Sequence, residues 1–226
     1  MCLKRPPISL RISSMLKICE IFKSIQGESS RAGQICAFIR LHGCNLNCSF
    51  CDTEYARTGE FEEYSIDEAV AAVNGFDSDL VEVTGGEPLI QKDTPALCKT
   101  LLDCGRTVLV ETNGTKNIAL LPVGCIRIID VKCPGSNAGG SFLMDNVPKL
   151  TATDEMKFVV TNRDDFEWAL DFCRTHEIFS RCAVYMSPAY GIIQPEVLAQ
   201  WILESDRPVR MGLQLHKIIW GNRRGA

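Results

Sequence analysis

From residue 35 onward, short β-branched and aliphatic runs alternate with amphipathic helical stretches, the pattern of a parallel sheet covered by helices. Strands are predicted at 34–41, 80–84, 107–111, 126–131, 155–161, 183–187 and 209–215, with one more at 16–22 ahead of the series. Helices are predicted at 65–73, 92–104, 164–175 and 195–204. Between 112 and 154, Gly114, Pro122, Pro134, Gly135, Gly139, Gly140 and Pro148 leave room mainly for loop, so the sheet should curl without being evenly wound. With 226 residues, 46% of them hydrophobic, the chain has enough apolar material for one large core.

The strands end in polar residues: Thr84-Gly85-Gly86-Glu87, Glu111-Thr112-Asn113, Asp130 and Lys132, Thr161-Asn162, Ser187, and Gln214 with His216. In parallel α/β folds the carboxyl ends of the strands are where ligands bind. One polar strand end is an ordinary loop. The repetition along the series predicts one shared site.

Ahead of these ends stands Gly43-Cys44-Asn45-Leu46-Asn47-Cys48-Ser49-Phe50-Cys51-Asp52-Thr53. Cysteines at this spacing can hold three corners of an iron–sulfur cube and leave the fourth iron open to a small chelating molecule. A structural zinc site closes with four Cys or His ligands, often as two Cys-x-x-Cys pairs, and no second pair is present. His42, so close to Cys44, would strain such a site. Of the twelve cysteines, Cys2, Cys19, Cys36, Cys98, Cys104, Cys125, Cys133, Cys173 and Cys182 are scattered singly among apolar residues and read as small buried hydrophobes.

This cysteine usage, without a hydrophobic signal core, predicts a reducing cytoplasm. No stretch approaches the roughly 20 apolar residues of a membrane span. A net charge of −4 argues against binding nucleic acid through a broad basic surface, so neither membrane nor nucleic acid is expected as a partner. Residues 1–14 are basic and unpatterned and read as a disordered or artefactual leader, leaving 15–226 as a single domain.

The cysteine triplet followed by the strand-terminal Gly85-Gly86-Glu87-Pro88 resembles the radical S-adenosylmethionine superfamily. Paired glycines there let backbone come close to a ligand. The resemblance implies a 4Fe–4S cluster on Cys44, Cys48 and Cys51, with the methionine part of S-adenosylmethionine chelating the open iron. One-electron reduction then cleaves the sulfonium and yields a deoxyadenosyl radical that takes hydrogen from substrate. It places Phe50 near the adenine and Gly86 at the methionine amino group. Asp130 with Lys132, and Ser187 with Pro188, fall where the family grips the ribose or carboxylate. An electron donor such as flavodoxin is implied.

A narrower resemblance rests on Glu20-Ile21-Phe22-Lys23-Ser24-Ile25-Gln26-Gly27-Glu28, Phe38-Ile39-Arg40-Leu41-His42-Gly43-Cys44-Asn45-Leu46, Cys51-Asp52-Thr53, Glu111-Thr112-Asn113-Gly114-Thr115 and Leu215-His216-Lys217. In this order they resemble the 7-carboxy-7-deazaguanine synthase family, lyases that contract the ring of a pterin, 6-carboxy-5,6,7,8-tetrahydropterin, with loss of ammonia on the way to queuosine and related deazapurines. The resemblance implies Mg2+ at Thr53 and substrate contacts from Ile25, Gln26, Gly27, Arg40, Thr84 and His216. Chemically, Asp52 is the better magnesium ligand, since the ion prefers carboxylates, and a threonine hydroxyl serves only if substrate oxygens and water fill the shell. A flat heterocycle bearing a carboxylate calls for a planar cation, which Arg40 supplies, and for amide-type recognition, which Gln26 supplies. An arginine paired with Glu28, a plain Gln-Gly turn and a structural histidine are the bland readings of Arg40, Gln26-Gly27 and His216.

The chain departs from that family at Ser29-Ser30, where glycine is common, and beyond Lys217. The expected fold is an incomplete, TIM-like α/β barrel of parallel strands with helices outside, and its exposed edges suggest a homodimer. Alternative functions are a glycyl-radical-enzyme activase, which should lack Gln26-Gly27 and Cys51-Asp52-Thr53, and a non-catalytic iron–sulfur or zinc binding module.

Overall fold

The computed structural model describes residues 15–225, so the leader expected at 1–14, Cys2 and Ala226 lie outside the described residues. Strand β1 (Met15–Ile25) and β2 (Ile35–Leu41) form an antiparallel hairpin whose register sets Glu20 opposite Arg40 and Phe22 opposite Phe38. The loop between them closes through Gln26 N–H to Gln34 O and Gly33 N–H to Gln26 O, both 2.8 Å. Helix α1 (Glu54–Thr58) follows the cysteine loop, and β3 (Glu62–Ser65) pairs antiparallel with β1. Helix α2 (Ile66–Asn74) starts at Ser65, which forms a reciprocal capping box with Glu68. Then come β4 (Leu80–Gly85), α3 (Thr94–Asp103), β5 (Thr107–Thr112), β6 (Ile126–Asp130), β7 (Glu155–Val160), α4 (Arg163–Thr175), β8 (Ala183–Pro188), α5 (Pro195–Ser205), β9 (Val209–Met211) and α6 (Leu215–Trp220).

These strands form one sheet in the order β3-β1-β2-β4-β5-β6-β7-β8-β9, and from β2 onward every neighbouring pair is parallel. The two ends of the sheet do not meet, so the barrel is open, as the sequence predicts. The antiparallel pair β1 and β3 is an addition that the parallel pattern does not reveal. Between β5 and β7 the connections carry only 3₁₀ turns, at Ile118–Leu120, Pro134–Ser136 and Met144–Lys149, where glycine and proline predict loop.

Strand periodicity builds the site. On β4, Val81 and Val83 face outward into a core shared with Leu97 and Leu101 of α3, while Leu80 faces inward with Cys36, Phe38, Leu109 and Ile128. A period of two carries Glu82 and Thr84, Glu111, and Asp130 onto that same inner face, above the apolar layer. Cys36, Cys98, Cys125, Cys133, Cys173 and Cys182 are buried as expected, but Cys104, at the end of α3, is exposed and Cys19 is half-buried.

One strand is shorter than the sequence predicts. β9 stops at Met211: Gly212 N–H still donates to Met186 O of β8 at 2.8 Å, and a Cβ there would lie 2.5 Å from Ser187 Oγ. The chain then leaves the sheet: Gln214 Nε2 donates to Glu28 Oε1 at 2.9 Å and Leu215 N–H to Gly27 O at 3.0 Å. His216 therefore sits on α6, across the β1–β2 loop, and not at a strand end.

Candidate active site

A cavity of about 500 Å³ opens at the carboxyl ends of the strands. It is lined by Cys44, Cys48, Cys51, Phe50, Gly86, Asp130, Lys132, Thr53, Ile25, Gln26, Gly27, Arg40, Thr84 and His216, which are the residues predicted from sequence apart from two. Ser187 and Pro188 are buried at the end of β8 and do not line it. His42 is also outside, its ring against Phe61 at 4.6 Å.

The cysteine loop is fastened to the strand ends around it. Asn45 Nδ2 donates to Thr115 Oγ1 at 2.8 Å, Asn113 Nδ2 to Asn45 Oδ1 at 3.2 Å, and Ser49 N–H to Ser136 O at 2.9 Å. Gly86 is the close approach: a Cβ there would lie 2.4 Å from Gly43 O and 2.6 Å from the Cys44 Cβ. The glycine pair thus brings backbone against the cysteine loop. Buried Glu87 ties the next turn down, accepting from Thr112 Oγ1 at 2.8 Å, Asn113 N–H at 2.7 Å and Leu89 N–H at 2.9 Å. Gly86→Ala is expected to displace Cys44, lowering iron per chain and turnover about 100-fold while circular dichroism stays unchanged, because ångström-scale misplacement has effects of that order.

The three thiols form no disulfide and line one cavity, the donor set a cluster requires. Burial pushes the Cys44 and Cys48 thiols up, and nearby Lys132 works in the opposite direction. Asp130 Oδ1 is buried with no hydrogen-bond partner among the described residues, while Oδ2 pairs with Lys132 at 2.9 Å. That orphaned acceptor fits a hydroxyl of a bound nucleoside.

Deeper in the cavity lies a layer of charge that the motifs do not disclose. Lys157 Nζ meets Glu111 Oε1 at 2.6 Å, Glu28 Oε2 at 2.7 Å and Asp130 Oδ2 at 3.3 Å. Burial opposes the lysine's charge, but these three carboxylates hold its pKa well above the usual range. Thr84 Oγ1 donates to Glu111 Oε2 at 3.2 Å, and Gln26 Nε2 donates to Glu82. The Gln26 Oε1 accepts from Glu28 N–H at 3.0 Å, so this amide braces the loop as well as facing the cavity. The available signal was a charged residue alternating with apolar ones inside a buried strand, as in Leu80-Val81-Glu82-Val83.

Arg40 pairs with Glu20, not Glu28, at 2.7 Å through Nε. Glu20 also accepts from the Tyr55 hydroxyl at 2.6 Å and from Arg224 Nε at 3.0 Å, and Arg224 stacks on Tyr55 at 4.2 Å. The segment after α6 therefore lies along the cavity, with Asn222, Arg223, Arg224 and Gly225 in its wall. Asp52 is engaged by Lys217 at 3.2 Å, whereas the hydroxyl of Thr53 does not cap α1. Burial lowers the His216 pKa, and a Cβ on Gly27 would lie 2.3 Å from its Nδ1. Of the two departures, Ser29 adopts φ +65°, where glycine is favoured, and Ser30 N–H donates to Glu155 Oε2 at 3.0 Å.

Residues 38–128 match the Radical SAM superfamily. The chain is 42% identical over 220 residues to the 7-carboxy-7-deazaguanine synthase of Koribacter versatilis, covering 91% of this chain and 97% of that protein. The chain belongs to the 7-carboxy-7-deazaguanine synthase family. The synthase of Chlorobaculum tepidum is 43% identical over 211 residues, with 91% and 94% covered. QueE from Escherichia coli superposes with a TM-score of 0.76 at 22% identity over 89% of this chain and 95% of that one, which supports the open, mostly parallel barrel. As a synthase of this family the chain is a radical S-adenosylmethionine lyase that uses a 4Fe–4S cluster and S-adenosylmethionine. Among the described residues no helix is long and apolar enough to cross a membrane.

Proposed function

We propose that residues 15–226 act as one radical S-adenosylmethionine domain that converts 6-carboxy-5,6,7,8-tetrahydropterin to 7-carboxy-7-deazaguanine with release of ammonia. The observation that carries this reading is a single cavity holding the three cysteines, the Gly86 edge, Arg40 and a buried carboxylate–lysine layer. Cys44, Cys48 and Cys51 would hold the cluster, and Phe50, Gly86, Asp130 and Lys132 would hold the cofactor. When bound, cluster and cofactor together supply a hydrogen-abstracting organic radical. Ser187 and Pro188, buried at the end of β8, stand outside the cavity lining.

The chain's own residues orient the substrate. Arg40, fixed by Glu20, faces the substrate carboxylate with a planar, permanently charged group. Ile25, Gln26 and Gly27 bound the heterocycle on the side of the β1–β2 loop. Thr84 and the carboxylates beside it receive its N–H groups. His216, neutral through burial, serves as a hydrogen-bonding group at the opposite wall. Thr53, whose hydroxyl does not cap α1, would hold Mg2+ with substrate oxygens and water filling the shell, while Asp52 pairs with Lys217.

The surroundings follow from the same reading. A cytoplasmic enzyme takes its electron from a small donor such as flavodoxin, and a homodimer covers the open sheet edges at β3 and β9, the latter flanked by α5 with its exposed Leu203. The test is anaerobic incubation of cluster-loaded protein with reductant, S-adenosylmethionine, Mg2+ and the carboxypterin. The expected products are 7-carboxy-7-deazaguanine, ammonia and deoxyadenosine. Deoxyadenosine without the deazaguanine would remove the substrate assignment, and a glycyl-radical activase would instead modify a protein.

A further inference from the structure

The floor of the cavity holds more negative groups than its cations neutralise. Glu28, Glu111 and Asp130 contact Lys157, and Asp130 also contacts Lys132. Glu82 is the fourth carboxylate of the layer and pairs with neither lysine; its hydrogen bond comes from the neutral amide of Gln26. It is only 4% exposed, yet it lines the cavity. In the sheet its register neighbours are Phe38 on β2 and Leu109 on β5, so apolar groups flank it on both sides. Burying a charge without a partner is strongly unfavourable, and a carboxyl in that position keeps its proton instead.

We propose that Glu82 is a specificity-determining residue, a neutral carboxylic acid that donates a hydrogen bond from the cavity floor to an acceptor of the bound heterocycle. The proposal rests on the substrate class given above. An aminopyrimidinone ring carries a lactam oxygen and an imine nitrogen as acceptors, and the ionised carboxylates beside Glu82 offer them nothing to accept. Lys157 is already engaged by Glu28, Glu111 and Asp130, so a proton-bearing acid beside them supplies the missing donor. The titratable groups facing it are Glu28 after β1, Cys36 on β2, Glu111 on β5 and Lys157 on β7. Burial, then Glu111, push the Glu82 carboxyl up to about 8, while Gln26 and Lys157 work in the opposite direction.

The experiment compares cluster-loaded wild type with Glu82→Gln, using the fluorescence of 6-carboxypterin to read affinity between pH 7 and pH 9 in the presence of S-adenosylmethionine. Titration of the ligand itself cancels in the affinity ratio of the two proteins. That ratio, wild type over variant, is expected to fall about tenfold as Glu82 ionises. A constant ratio overturns the proposal. The second measurement needs no ligand. A carboxyl whose folded pKa is raised loses stability as pH rises from its unfolded value toward the folded one, so the Tm advantage of Glu82→Gln should grow by about 5 °C or more between pH 5 and pH 8. A Tm difference independent of pH overturns the retained proton. If Tm responds as expected but neither protein binds 6-carboxypterin, the substrate assignment fails, and with it donation to that ligand, while the proton on Glu82 stands.

Discussion

Cys48→Ser yields a folded protein without a cluster and without detectable product. The loop around Cys48 is held by Asn45, Ser49 and Asn113 through hydrogen bonds that do not involve the thiol, so its path survives the substitution. An alcohol does not replace a thiolate on iron, and two remaining cysteines do not hold the cube. Iron per chain, the visible charge-transfer band and product formation all vanish, while Tm of the metal-free protein changes by less than about 2 °C, as for a partly exposed site. Cys173→Ser is the matched control: that thiol is fully buried on the inner face of α4, so the variant loses about 1–3 kcal/mol by placing a hydroxyl in an apolar core and keeps its cluster. Loss of iron in both variants would mean that cluster loading reflects general stability.

Lys157→Met has the largest expected effect on folding. Its ammonium is the group shared by Glu111, Glu28 and Asp130, and its side chain is 7% exposed. Removing one partner of a buried ion pair leaves uncompensated charge and destabilises by about 3–5 kcal/mol, or roughly 10 °C in Tm for a chain of this size. The sign of the pH dependence follows from the acids. Asp130, disfavoured by burial but held below the usual carboxylate range by Lys132 and Lys157, gives stability that is present above its ordinary pKa and lost as pH falls through the lowered one. Without Lys157 the orphaned carboxyls take up protons more readily, so the gap between variant and wild type should narrow toward pH 4 in a Tm series. A gap that stays constant would assign Lys157 a packing role only.

Much of this arrangement is legible in the sequence because it is local. Cys44, Cys48 and Cys51 lie within one loop, Gly85-Gly86 directly ends a strand, and alternating runs state the parallel sheet without reference to distant residues. The contacts that complete the site are long-range. Lys157 meets Glu28 only because β7 and the β1–β2 loop converge, and Arg224 reaches Glu20 only because the chain leaves the sheet after Met211. No spacing rule announces such pairs. Val209-Arg210-Met211 continuing into Leu213 predicts a strand that ends at His216, whereas the turn of the chain onto Gly27 and Glu28 is invisible in sequence. Ser187 illustrates the converse: a polar strand end that is buried and lies outside the cavity lining. Glu82 did leave a trace, an acid between valines in a strand buried along its length, which is the pattern of an inward-facing functional group.

Cluster, cofactor and carboxypterin are expected to share the cavity between the cysteine loop and the Glu82–Glu111–Lys157 layer. An anaerobic crystal structure with S-adenosylmethionine and 6-carboxypterin bound tests it most directly. The expected result is a cluster on Cys44, Cys48 and Cys51, the pterin carboxylate on Arg40, and the pyrimidine edge over Glu82 and Glu111. A pterin bound elsewhere, or a cavity filled by the cofactor alone, would contradict it.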